Sequence, residues 1–248
     1  MSIEKTVRYQ GRKKLKEYGW VKALIGLGML AVFFLIIESV AYCETILLDI
    51  VKEDMHFLIS VIYRSFTTFV AILLFPSVIG YIRMLLSEKG EYEMSDVTYY
   101  FMSCDRYFKS IGLIFSYLLR IALPALLCFS PVIGVTVLNN YVSIEYYDII
   151  LYSLVVLSSV LLLIYSLKYF LIIKLFCDDE TQDMSFYFKT SKNIMRNHRL
   201  DVIKLTLSFT PWILLCITIL PMLYVIPYMT QSLCISSKWF YELSRDGI

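Results

Sequence analysis

Runs of roughly twenty or more apolar residues recur along this chain, at Trp20–Cys43, Phe57–Ile82, Ser110–Leu138 and Ile149–Phe176. A helix of about twenty residues is long enough to cross the roughly 30 Å hydrocarbon layer of a bilayer. A further stretch, Leu205–Ser237, carries no charged side chain at all. As one helix it would be about 50 Å long, too much for one crossing. Pro211, Pro221 and Pro227 interrupt it, and proline breaks helix hydrogen bonding. Divided at Leu220–Pro221, it predicts two more spans, 200–220 and 222–241. The expected fold is therefore all-α: a polytopic membrane protein of one domain, a bundle of six transmembrane helices.

Composition agrees. Of 248 residues, 58% are hydrophobic and 18% charged, against about 45–50% and 25% in soluble domains. Mean hydropathy is +0.68. One soluble core of this size does not hide so much apolar surface.

Charge placement sets the expected topology. All but Lys52, Arg64 and Arg120 of the 23 Lys and Arg fall in the N-terminus, Arg83–Lys109, Lys168–Lys204 or the C-terminal tail. Basic residues favour the cytoplasmic side. Both termini are thus expected in the cytoplasm of a multi-pass cell-membrane protein. The basic N-terminus lacks a small-residue cleavage site and reads as leading into an uncleaved first span. The loops at Cys43–His56 and Asn139–Asp148 and the turn at Pro221 are then outside. Two cytoplasmic stretches, 95–109 and 183–198, carry helical stripes and are expected as interfacial amphipathic helices. In the first, Ser95 is the expected cap. Met94-Ser95 recurs as Met184-Ser185, hinting at a duplicated hairpin.

A net charge of +2 and the absence of a basic soluble module argue against nucleic acid. Six scattered cysteines and two isolated histidines show no ligand spacing, so no metal or cofactor is expected. No H-E-x-x-H, G-x-S-x-G or P-loop motif is present, and an enzyme is not expected.

Polar side chains at membrane depth are costly and are the candidate site residues. Glu38 and Arg64 are expected to pair across the first hairpin, or to contact an anion. Arg120, with Pro124 and Pro131 beyond it, is expected inside the bundle or in a cytoplasmic-side pocket. There it would bond freed carbonyls, Tyr165 or Ser166, or hold a lipid phosphate.

The C-terminal third carries an ordered set of motifs. Tyr165-Ser166-Leu167 precedes an acidic turn, Asp178-Asp179-Glu180, and then Ser191-Lys192-Asn193-Ile194-Met195-Arg196. Leu207-Ser208-Phe209-Thr210-Pro211-Trp212, Pro227-Tyr228 and Phe240-Tyr241 follow. With Arg12-Lys13-Lys14-Leu15-Lys16 before Trp20, this set resembles the bacterial integral-membrane family called Domain of Unknown Function 975. Thr210-Pro211 and Asn197 depart from its pattern. The resemblance implies a multi-span membrane protein and supplies no catalytic residues.

The leading functional expectation is a non-enzymatic membrane protein that binds lipid, including anionic headgroups, or a partner membrane protein. An accessory subunit of an export or envelope system is one such role. The alternatives are a small transporter with its path near the fifth and sixth helices and Arg120, or self-protection against membrane-active peptides. A transporter predicts a solvated central cavity, and an accessory role predicts a dry core with an apolar lateral groove.

Overall fold

Proline and glycine positions decide where the helices of this chain stop. The computed structural model describes residues 3–51, 55–88, 91–139, 141–142, 146–216 and 219–245, and every regular element among them is helical. The elements are α1 (Ile3–Tyr18), α2 (Trp20–Ile50), α3 (His56–Leu74), α4 (Pro76–Leu86) and one turn α5 (Ser95–Thr98). They continue with α6 (Cys104–Asn139), α7 (Tyr147–Ser166), α8 (Ile172–Asp178), α9 (Met184–Leu207), α10 (Thr210–Leu215) and α11 (Ile219–Arg245). Short 3₁₀ turns cover Tyr99–Phe101 and Leu167–Tyr169.

Four helical segments are long and apolar enough to cross a membrane: Trp20–Leu48, His56–Leu86, Cys104–Asn139 and Tyr147–Asp178. They form two hairpins, α2 with α3–α4 and α6 with α7. The hairpins meet where the Tyr107 hydroxyl donates to the Leu73 carbonyl at 3.1 Å and Phe33 stacks on Phe101. Beyond those points the helices are largely unburied. α3 has no buried residue, and α6 has none past Ile114.

The packed core lies at the opposite end of the hairpins. α1, α4, α5, α8, α9, α11 and the first turns of α2 and α6 build a helical body around Tyr81, Met84, Tyr100, Phe176, Tyr187, Phe209 and Phe240. Two close approaches fix it. A Cβ on Gly80 would lie 2.2 Å from the Val97 carbonyl, so only glycine lets α4 meet the 95–98 turn. A Cβ on Gly11 would lie 2.5 Å from Ser232 Oγ, which seats α1 against α11. Lys14 of α1 donates to the Leu85 and Ser87 carbonyls, closing the C-terminal end of α4. Burial, with Lys238 nearby, lowers its pKa to about 8.

Several boundaries differ from the sequence reading, each for a local reason. The second apolar run divides at Phe75, because Pro76 opens α4 and has no N–H for the Ile72 carbonyl; the Phe75 N–H donates there instead. The expected helix over 95–109 is absent. Ser95 makes no capping bond, and Asp96 turns inward to Arg83 while α6 begins at Cys104. The expected helix 183–198 and the start of the span 200–220 are one continuous helix, α9.

The last apolar region is broken, as Pro211 and Pro221 led us to expect, but at different places. The chain leaves helix at Ser208–Phe209, before Pro211, and again at Cys216. Pro221 falls in the first turn of α11, where its missing N–H has no intrahelical partner to lose. Pro227 lies inside α11 without ending it. Phe209 and Tyr228 stack edge-on at 5.5 Å within the core. α10, the helix beyond Phe209, has only six residues, about 9 Å. Among the described residues, neither 200–220 nor 222–241 is one of the four segments long and apolar enough to cross a membrane.

Candidate functional site

The expected Glu38–Arg64 pair does not form. Arg64 Nε instead lies 3.6 Å from Glu44 Oε1. α2 continues unbroken to Ile50, so the hairpin turns later than the loop Cys43–His56 assumed. That shift carries Glu38 past Arg64 into an exposed position, and Glu44 takes its place. The acidic residues expected outside at Glu53, Asp54 and Glu145, and Lys52, lie outside the described residues.

Arg120 sits at the junction of body and hairpin. Ser110, Leu113 and Ile114 of α6 are buried against the body, and Arg120 follows them within two turns. Its guanidinium covers the Phe188 ring of α9 at 3.9 Å. No hydrogen bond joins it to Tyr165 or Ser166 among the described residues. Ser166 Oγ donates within its own helix to the Leu163 carbonyl, 2.8 Å. Pro124 and Pro131 leave α6 continuous. The Leu127 carbonyl that Pro131 orphans accepts from Ser130 Oγ at 2.8 Å, so Arg120 is not needed there.

Tyr165 is engaged by a residue the sequence reading passed over. Lys168 Nζ lies 3.2 Å from the Tyr165 ring centre and 4.7 Å from that of Tyr169. The 3₁₀ turn that carries Lys168 is held by Ser191 of α9. The Ser191 hydroxyl donates to the Lys168 carbonyl at 3.0 Å and accepts from the Leu171 N–H at 3.2 Å. Lys168 is only 9% exposed. Tyr169 links the two cations: its ring packs edge-on against Phe188 at 5.3 Å and against Tyr117 at 6.0 Å. A signal for this was present in sequence. Tyr165, Lys168 and Tyr169 are spaced three and four apart, which places them on one helical face.

Beside this cluster is a cavity of about 310 Å³ between the two hairpins. Phe75, Leu113 and Ile114 form much of its wall, Ile173 closes it, and Tyr117 and Ser166 supply its polar edge. It lies where both descending helices break, at Phe75 and at Leu167–Tyr169. The breaks open it, because a straight helix at either place would fill the gap.

The residues of the C-terminal motifs form a separate aromatic group. Trp212 packs near Tyr224 and Tyr228, Phe209 against Tyr228, and Trp20 against Tyr224 at 4.9 Å. Pro211 opens α10 and so aims Trp212 at this group. The body also holds an ion cluster not anticipated from sequence. Arg83 lies 2.9 Å from Glu180 and 3.4 Å from Asp96, with its guanidinium over Tyr99. It ties α4 to both stretches that follow a descending helix. No family model matches the chain, and no curated protein or solved structure matches it.

Proposed function

We propose that the chain is a non-enzymatic integral membrane protein that takes a lipid acyl chain into the lateral cavity between its two hairpins. The cavity carries this reading. Its walls are apolar, it opens between helices whose outer surfaces are themselves apolar, and its volume suits a hydrocarbon segment. It is the apolar lateral groove that an accessory role called for. A solvated central path of the kind a transporter needs is not what these walls offer.

Membrane placement follows from lengths. α3, α7 and the segment Arg120–Asn139 each measure about 30 Å, one hydrocarbon thickness. With Phe75, Leu167 and Arg120 taken as their inner ends, the body lies outside the hydrocarbon. The body gathers α1, Arg83, Lys168–Lys204 and Lys238, and by the positive-inside rule it faces the cytoplasm with both termini. Four crossings satisfy that orientation, with α10 and the start of α11 dipping into the inner leaflet. Membership of the Domain of Unknown Function 975 family belongs to this reading and rests on the ordered C-terminal motifs. An accessory subunit of an envelope or export system is the role we assign.

The test is native mass spectrometry of the full chain purified in mild detergent. Ile173→Trp fills the cavity and is expected to lower retained phospholipid at least five-fold. Ile114→Trp repeats the test from the facing helix. Retention unchanged in both variants overturns the reading.

A further inference from the structure

We propose that the lipid is an anionic phospholipid, its headgroup phosphate held between Lys168 and Arg120 while one acyl chain occupies the cavity. This rests on the acyl-cavity reading above and adds the chemistry of the headgroup.

Lys168 is the first reason. Its ammonium is enclosed by tyrosine rings at nine-tenths burial, and no carboxylate lies within 4 Å of it among the described residues. A buried cation without an anion is costly, and tyrosine faces offset only part of that cost. Three other enclosed cations of the body are matched by acids: Arg83 by Asp96 and Glu180, Lys174 by Asp178, Lys238 by Glu88. Lys174 stands after the second descending helix much as Arg83 stands after the first. Lys168, within the break itself, has no acid within 4 Å among the described residues, and unlike Lys14, which the Leu85 and Ser87 carbonyls hold, it meets tyrosine rings.

Arg120 is the second. It too has no carboxylate within ion-pair distance among the described residues, and its guanidinium carbon lies 3.9 Å from the Phe188 ring centre, an aromatic contact that takes up none of its N–H donors. Phe188 and Tyr169 are packed ring to ring, so the two cations share one aromatic support. Lys192, one turn beyond Phe188 on α9, is exposed and adds a third positive charge.

Position is the third. Tyr169 and Ser166 line the cavity and flank Lys168 in sequence, and Tyr117 lies one turn before Arg120 on α6. Anion site and acyl cavity are thus adjoining, at the boundary where lipid phosphates reside. That adjacency selects a phospholipid over free phosphate.

The experiment presents the detergent-solubilised full chain with equimolar phosphatidylglycerol and phosphatidylcholine of identical acyl chains, and native mass spectrometry reads the retained lipid. At least a ten-fold preference for phosphatidylglycerol is expected. Arg120→Gln with Lys168→Gln is expected to bring the ratio near one, whereas Lys168→Arg keeps the preference. Equal retention by the unsubstituted chain, or a preference that survives the double substitution, overturns the proposal. Should the double variant not fold, inorganic phosphate decides on the unsubstituted chain. Displacement of phosphatidylglycerol by millimolar phosphate defeats the phospholipid assignment, and resistance upholds it. Failure of the cavity reading looks different: Ile173→Trp and Ile114→Trp then leave total lipid unchanged, whatever its charge.

Discussion

Arg64 lies within the second apolar run and Arg83 just past its end, and their surroundings give them opposite energetic weight. Arg83 is enclosed, its side chain 26% exposed, with two carboxylates that are themselves less exposed. Arg64 is 80% exposed and holds one loose contact to Glu44 at 3.6 Å. Removing one member of a well-enclosed pair strands the others, so Arg83→Met is expected to cost about 2–4 kcal/mol. Arg64→Met is expected to change stability by less than about 1 kcal/mol, as exposed pairs do. Thermal unfolding of both variants in the same detergent checks the contrast, and equal shifts would refute it. The sequence reading singled out Arg64, inside an apolar run, and took Arg83 only as the start of a basic stretch, because hydropathy does not show which charge meets a packed body. Lys168 was passed over for the same reason: it stood among basic residues of a supposed loop, and only the Ser191 clamp shows it to be enclosed.

The helices themselves were largely legible from apolar runs and prolines, and the misplacements occur where a tertiary contact outweighs a local signal. The helical stripe over 95–109 lost to Gly80, which admits the 95–98 turn against α4, and to Arg83, which draws Asp96 inward. Neither contact is encoded near the residues it reshapes. Gly80→Val tests this at the level of the element. A branched side chain there meets the backbone carbonyls of Asp96 and Val97, which have little freedom to retreat. The expected loss is at least about 3 kcal/mol, seen as a lower unfolding temperature and faster proteolysis at 91–103. A variant as stable as the parent would mean that the turn does not need α4. The merging of 183–198 with the following residues has a plainer cause: nothing between Met184 and Leu207 is a helix breaker, and hydropathy alone suggested the division.

For the whole molecule, the difference between four and six crossings rests on one short hairpin. α10, which follows Phe209, is six residues or about 9 Å long, under half of the hydrocarbon layer. A variant keeping Cys216 as its sole cysteine is therefore expected to resist membrane-impermeant maleimide on intact cells. Tyr141→Cys in the same background is expected to react. Labelling of Cys216 from outside would restore the six-span arrangement. The candidate site was half visible in sequence: Arg120, Tyr165 and Ser166 lie around it, but the cavity arises from two helix breaks far apart in the chain.

The seat of α1 against α11 sets an order on assembly. α1 finds its groove only once α11 has formed, because Gly11 packs closely over Ser232. Both hairpins precede α11 in the chain, and each closes on local contacts. The body closes through pairings as far apart as Arg8 with Ser208, two hundred residues, and non-local closure is slow. A variant lacking α11 leaves the basic helix α1 without the surface it packs on, and is expected to be degraded faster than the parent, as pulse-chase reads.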